Sequence, residues 1–350
     1  MKKIKVLILS VLCFVMLGCN ATAKEGFLQN TLFAEKSWWQ TVLLGAGISE
    51  PGEISVRFID VGQADSTLIE CNGHYMLIDG GNSADSSLIY SVLEEEGVDT
   101  LDILIVTHAH EDHVGGIPAA FEYVKDIKEV LCSVKESDCY NFDVFKERAK
   151  AHGGIRIPEI GEEYDLGGAS VKILGLNGGN KDNVNDQSVI VRIDYRDVSF
   201  LLTGDAEKTA EATLLESGAD IDVDVLKVGH HGSGTSSSQA FLDAVTPEYA
   251  VISVGGANDY GHPPKGILER LAATGAKLFR TDWQGDVIIT SDGENISVET
   301  DREASMEQVM TPGGKVEAVY DLDPQGAATR AQVATFIYRF CEAYEIKINE

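Results

Sequence analysis

The sequence predicts an α/β protein built as a four-layered helix–sheet–sheet–helix sandwich. Three observations lead there. Short β-like runs recur in two sets between Glu53 and about residue 290, and each set carries its own helical stretches. A sheet with helices on one face must bury its other face, and a second sheet of the same kind can do that. The bulk composition agrees: 350 residues, 44% apolar and 24% charged, as in a soluble globular enzyme with room for one large domain.

In order, residues 54–59, 66–70 and 75–78 are β-like and are separated by Gly-Gln-Ala and Asn-Gly turns. Ser83 opens a helix to about Glu96, with Leu88, Ile89, Val92 and Leu93 on one face. Residues 101–106 form a buried strand that runs directly into a His-rich loop, and a helix begins near Ile117. Further strands are expected at 128–132, 170–175, 188–194, 198–202, 224–228, 249–253, 276–280 and 286–290, with helices at 142–151, 206–216, 238–244 and 266–273. Residues 301–318 lose the pattern and read as a linker, and a helix starts near Ala328.

The amino terminus has the organisation of an export signal. Lys2, Lys3 and Lys5 precede a run from Val6 to Leu17 that is almost wholly apolar but short for a membrane span. Met16-Leu17-Gly18-Cys19 resembles a bacterial lipoprotein processing site, with Cys19 as the lipidated residue and a lipid anchor as its link to the membrane. Cleavage after Ala21-Thr22-Ala23 and an uncleaved anchor are the rival readings, and all three place the chain outside the cytoplasm at the bacterial surface. Residues 20–52 are a leader. Cys132 and Cys139 are close enough in sequence to close a disulfide loop or to stay free as small packed hydrophobes.

The chemistry lies in Thr107-His108-Ala-His110-Glu111-Asp112-His113. Imidazole and carboxylate suit zinc, and also manganese or iron. His108 and His110 alternate and can share one metal, while Asp112 and His113 face a second; two such ions can clamp the attacking and leaving oxygens of a displacement. Three further apolar runs end in candidate ligands. Leu201-Leu-Thr-Gly-Asp205 supplies a bridging carboxylate or a helix N-cap. Val225–Ser233 carries His230 and His231, and Tyr260-Gly-His262-Pro263 follows another strand. Six of the eight histidines fall in these loops. His74 and His152 do not, and read as surface or turn residues.

Together with Phe58-Ile-Asp60-Val-Gly62-Gln63-Ala-Asp65-Ser66 and Leu77-Ile-Asp79-Gly80-Gly81, these motifs resemble the metallo-β-lactamase-fold hydrolases similar to the extracellular domain of the competence protein ComEC. Teichoic-acid phosphorylcholine esterases are more distant relatives. The resemblance spans about residues 53–300. It implies a metal-bridged hydroxide and two divalent ions, zinc or manganese, held by His108, His110, Asp112, His113, Asp205 and His231. Asp186 stands where many members have a further histidine and would supply an oxygen instead. Asp79 and Asp60 would support the ligands. His230, His262 and Asp112 would act in catalysis, and Ser233 and Asp65 would face the substrate. Which of His230, His231 and His262 is a ligand stays open. Three positions depart from the pattern: Ala64 replaces a usual glycine, Gly234 an arginine and Pro264 a second histidine.

The resemblance favours an exported phosphodiesterase, nuclease-like or acting on teichoic or small phosphodiesters. Lactone or thioester hydrolysis is a second reading, and a wall-binding protein with a vestigial hydrolase domain a third. Residues 323–340 resemble the last helix of a surface-layer homology module, which implies contact with wall polysaccharide; no protein partner is expected. A net charge of −28 repels long polyanions.

Overall fold

The computed structural model describes residues 52–178 and 182–314. The signal segment with Cys19, nearly all of the leader, Cys341 and the surface-layer-like segment lie outside the described residues.

Strands β1 (Ile54–Phe58), β2 (Thr67–Cys71), β3 (His74–Ile78), β4 (Thr100–Val106) and β5 (Asp126–Cys132) join β13 (Val287–Ser291) and β14 (Ile296–Thr300) in a seven-stranded sheet ordered β14-β13-β1-β2-β3-β4-β5. The second sheet also has seven strands, in the order β12-β11-β10-β9-β8-β7-β6. Its members are β6 (Glu163–Leu166), β7 (Ala169–Gly175), β8 (Ile190–Tyr195), β9 (Val198–Leu202), β10 (Val225–Lys227), β11 (Tyr249–Ile252) and β12 (Lys277–Arg280).

Period-two alternation sorts the side chains. In β4, Ile103 and Ile105 enter the core between the sheets, while Leu104 and Val106 face the helices. Those helices are α1 (Ser86–Glu95), α2 (Glu111–Val114), α3 (Pro118–Tyr123) and α4 (Tyr140–Ala149). Ile89, Val92 and Leu93 form the buried stripe of α1, at the i, i+3, i+4 spacing of an amphipathic helix. Over the second sheet lie α5 (Lys208–Ser217), α6 (Gln239–Val245) and α7 (Lys265–Ala273), which bury Leu214, Leu242 and Leu268 against Leu201 and Leu226. This is the four-layered sandwich that the pattern predicts.

Two strands escape the hydrophobic pattern, β6 and β14. Each closes one edge of a sheet and is half-exposed; β6, Glu-Tyr-Asp-Leu, is interleaved with acids, and β14, Ile-Ser-Val-Glu-Thr, carries one. Charged edge strands resist pairing with other chains.

Residues 301–314 are more ordered than a linker reading suggests. After the short helix α8 (Thr281–Gln284), α9 (Met306–Val309) forms with a Ser305–Gln308 capping box. Arg280, 1% exposed, pairs with Asp282 and donates to the carbonyls of Val309, at 2.8 Å, and Thr311. The stretch is thereby tied to the second sheet.

Cys71, Cys132 and Cys139 are free thiols, which decides against the disulfide loop. Ala64 is buried without a positive φ; that conformation falls on Gly62, so the departure from glycine costs no backbone strain.

Candidate metal centre

Parallel pairing brings the ligand loops together. β3 and β4 run parallel, as do β9, β10, β11 and β12, so their carboxyl ends emerge on common edges. Asp79 follows β3 and His108 follows β4, while Asp205 and His230-His231 follow β9 and β10, and His262 lies in the loop after β11.

Asp79 organises the His loop. Its Oδ1 accepts from Thr107 N at 2.8 Å, and its Oδ2 accepts from Thr107 Oγ1 at 2.7 Å and His113 Nδ1 at 2.7 Å. The bond to Nδ1 leaves His113 Nε2 directed at Asp205 Oδ1, 3.4 Å away. A carboxylate behind a ligating imidazole fixes its tautomer and orientation. Glycine at 116 is required by close approach: a Cβ there would lie 2.0 Å from Gly80 O.

Asp205 sits at the centre. Its Oδ2 is 4.0 Å from His108 Nε2, 3.7 Å from His230 Nε2 and 3.6 Å from His231 Nε2. His231 Nε2 is also 3.3 Å from Asp112 Oδ2, and His108 Nε2 is 2.9 Å from His110 Nδ1. Asp112, His113, Asp205 and His231 therefore offer donor atoms all within 4.8 Å of one another. His113 Nε2 and Asp205 Oδ1 are buried and have no hydrogen-bond partner among the described residues. Two facing orphan donors of that kind fit a metal ion. His108 and His110 extend the set, His108 through Asp205 Oδ2 and His110 through its contact with His108.

The electrostatics point the same way. Burial opposes charge on Asp205 and Asp112, but neighbouring histidines hold both carboxyls well below the usual range: His231 and His113 for Asp205, His113 and His231 for Asp112. Burial likewise opposes charge on His231, yet Asp205, Asp65 and Asp112 push it up to about 10. Burial and the neighbouring His113 depress His108. A buried site so rich in carboxylate favours cations, and divalent ions would displace the protons on His113 and His231.

Asp65 does not face a substrate cavity. It is 1% exposed and lies behind the ligands, with Lys227 Nζ at 2.5 Å and His231 Nδ1 at 3.5 Å. It also groups with Asp79 and His113, but there the Lys227 ammonium already supplies the positive charge. Asp186 is not brought to the cluster. Its Oδ1 accepts from the backbone of Glu207 at 3.1 Å and Ala210 at 3.3 Å, so it caps α5, the role weighed for Asp205. Asp60 pairs with Arg302 at 3.1 Å. Ser233 is buried and bonds Thr235 Oγ1 at 2.9 Å, shaping its loop rather than lining the opening.

His230 and His231 both adopt left-handed backbone, with φ of 50° and 51°. This is costly for non-glycine residues, roughly 1–3 kcal/mol each, and both rings bring Nε2 toward Asp205 Oδ2. His231 turns inward, with Nδ1 bonded to Ser253 O at 3.0 Å, whereas His230 lies at the rim. His262 faces His230, ring centroids 5.6 Å apart, and burial with the nearby His230 and His231 pulls it down to about 4. Its backbone is held by Asn258, whose Oδ1 accepts from His262 N at 3.0 Å and whose Nδ2 donates to His262 O at 2.7 Å. Lys208 Nζ donates to Gly234 O at 3.0 Å, bringing a cation to the position where the resemblance led to an expected arginine.

Several contributors escaped the sequence reading. Ser188 Oγ accepts from Asp205 N at 3.0 Å and lies 3.4 Å from His108 Nδ1, joining the two sides of the site. Lys227 had a signal: a lysine inside the apolar run Val-Leu-Lys-Val calls for a buried acid. Glu207 also had one, as a second carboxylate two residues after Asp205.

Fold and donor set together define a metal-dependent hydrolase with a binuclear site. The chain belongs to the metallo-beta-lactamase superfamily, whose profile matches residues 59–256. It is similar to competence protein ComA of Neisseria gonorrhoeae, 33% identical over 258 residues covering 71% of this chain and 34% of that protein. It is also similar to ComE operon protein 3 of Bacillus subtilis, 28% identical over 260 residues covering 69% of this chain and 33% of the relative. The chain thus spans about a third of the length of these relatives. Among solved structures, the metallo-beta-lactamase fold protein YhfI from Bacillus subtilis aligns with TM-score 0.47 and 10% identity, over 68% of this chain and 99% of that one.

Proposed function

We propose that the chain hydrolyses phosphodiesters. The observation that carries this reading is Asp205, one carboxylate with ring nitrogens of His108, His113, His230 and His231 all within 4.0 Å of its oxygens, and with His262 facing His230 at the rim. When bound, two divalent ions, zinc or manganese, supply Lewis-acid polarisation and an activated water. Asp79 holds His113, and the carbonyl of Ser253 holds His231, in their ligating orientations. His230 and His262 lie where a phosphoryl oxygen or leaving group would come within reach.

The similarity to competence proteins supports a nucleic-acid substrate. The net charge of −28, with glycine at 234, supports a small or wall-derived phosphodiester. We further propose that the chain is exported and anchored through a lipid on Cys19, and that its carboxyl-terminal segment contacts wall polysaccharide. Mass spectrometry of the mature amino terminus tests the first of these, and a cell-wall pull-down the second.

The activity test pairs elemental analysis with side-by-side assays of a bis-aryl phosphodiester, single-stranded DNA and a lactone, for the wild type and Asp112→Ala. We expect about two metals per chain and phosphodiester cleavage lost in the variant. Fewer than one metal, or undiminished activity in Asp112→Ala, overturns the reading; lactone cleavage alone replaces it.

A further inference from the structure

We propose that the exposed ring of Tyr260 is the stacking platform of a substrate subsite beside the metal centre, one that takes a planar aromatic ring, a nucleobase or an aryl group, carried next to the phosphodiester. That a phosphodiester lies beside the ring rests on the phosphodiesterase reading; the stacking does not.

Three observations support it. The first is place. The Tyr260 and His262 rings are stacked, with centroids 5.7 Å and planes 29° apart, and His262 faces His230 at 5.6 Å. His230 Nε2 in turn lies 3.7 Å from Asp205 Oδ2, so a row of three rings leads from the central carboxylate out to Tyr260. The second is exposure. Tyr260 is 72% exposed, and among the exposed large apolar side chains of the described residues only Tyr140 exceeds it. A single apolar residue in water is ordinary on a protein surface; this one adjoins the site. The third is rigidity. Asn258, itself buried, accepts from His262 N on Oδ1 at 3.0 Å and donates from Nδ2 to the carbonyls of His262 and Gly255, at 2.7 and 2.9 Å. Gly313 N donates to Pro263 O at 2.9 Å. The loop that carries the ring is thus held before a ligand arrives, and stacking on it costs little further ordering.

The chemistry of the ring and the charge of the chain select the ligand. A π face favours another planar ring in offset stacking, and covering the pair takes apolar surface out of water. Away from the metals, a net charge of −28 leaves few cations to hold further phosphates, so an uncharged contact carries more of the binding. A short ester with one or two rings meets both conditions, and a long polyanion does not.

The test uses the full chain loaded with Mn²⁺, as wild type, Tyr260→Ala, Tyr260→Leu and Tyr260→Phe. The probes are thymidylyl-thymidine, the same phosphodiester without its bases, diphenyl phosphate and glycerophosphocholine. For thymidylyl-thymidine, Tyr260→Ala is expected to raise KM about 10-fold, the size of one lost stack, with kcat within about twofold of the wild type. Tyr260→Leu follows Tyr260→Ala and Tyr260→Phe follows the wild type, a pattern that a merely structural role would not give. The base-free ester has the same KM in all four proteins. Diphenyl phosphate separates the two sources of a ring: a matching rise in its KM assigns the subsite to planar rings in general, and no rise assigns it to nucleobases. An unchanged KM for thymidylyl-thymidine in Tyr260→Ala, an equal rise for the base-free ester, or full rescue by leucine overturns the proposal. So does a Tyr260-dependent preference for glycerophosphocholine, which would make the ring a seat for a quaternary ammonium. If the wild type cleaves none of the esters, the phosphodiesterase reading fails by itself. Equilibrium dialysis of thymidylyl-thymidine then decides the stacking: binding about 10-fold weaker in Tyr260→Ala upholds it, and equal binding overturns it.

Discussion

The wall of the metal site that follows β4 is one short loop, His108–His113, whereas the wall facing it is collected from three loops spread between Asp205 and His262. The first needs a single carboxylate behind it, Asp79, to bond Thr107 twice and His113 once. The second depends on the register of four parallel strands, on the Lys227–Asp65 pair behind His231, and on a segment from beyond β14 whose Gly313 N donates to Pro263 O in the His262 loop. A contiguous wall concentrates its vulnerability in one residue, while a dispersed wall spreads it to residues far from any ligand.

Asp205→Asn attacks the point shared by both walls and should have the largest effect. Metal content is expected to fall to about one ion per chain or less, and hydrolysis to background, because neither set keeps its shared carboxylate. Elemental analysis after dialysis checks this; retention of the full metal load would show that the two walls bind independently.

Asp79→Ala tests the contiguous wall alone. Metal affinity should drop roughly 10–100-fold, as for other residues that orient ligands. A chelator-competition titration measures the drop, and an unchanged affinity would mean that the loop holds its shape without support.

Arg280→Met tests the dispersed wall from a distance. It leaves Asp282 buried without its cation and frees the carbonyls of Val309 and Thr311, so denaturant unfolding should register a loss of roughly 3–5 kcal/mol. Gly313→Val is the more local version, since a Cβ there would lie 1.6 Å from His262 O and the two segments must part. Both variants should keep their metals and lose turnover; loss of metal instead would mean that the His262 loop also carries ligand geometry.

The smallest effect concerns the thiols. Burial pushes Cys132 up to about 12 and Cys71 up to about 11, so neither is a thiolate at neutral pH. Iodoacetamide on the native protein should label the part-exposed Cys139 well before either, as peptide mass spectrometry will read. Rapid labelling of Cys132 would indicate that β5 opens locally.

Much of the first wall was legible because it is local. An apolar strand followed by His108, His110, Asp112 and His113 carries its meaning within one short window, and apolar periodicity located the core strands and the helices over them. The edge strands β6 and β14 were not legible, since they are short, half-exposed and carry only two large apolar residues each. Elsewhere the difference between sequence and structure is one of direction. Asp186, Asp65 and Asp60 were found as carboxylates near motifs, but sequence does not say which way a carboxylate points. One caps α5, one pairs with Lys227 behind the site, and one meets Arg302.

The sequence by itself determined the layered architecture, the superfamily and the chemical character of the site, because these follow from the period of the apolar residues and from ligand types at strand ends. Only the tertiary structure decided which histidine turns inward and that Asp186 is a cap. Those roles depend on hydrogen bonds between segments far apart in the chain, closed by the stacking of one sheet on the other.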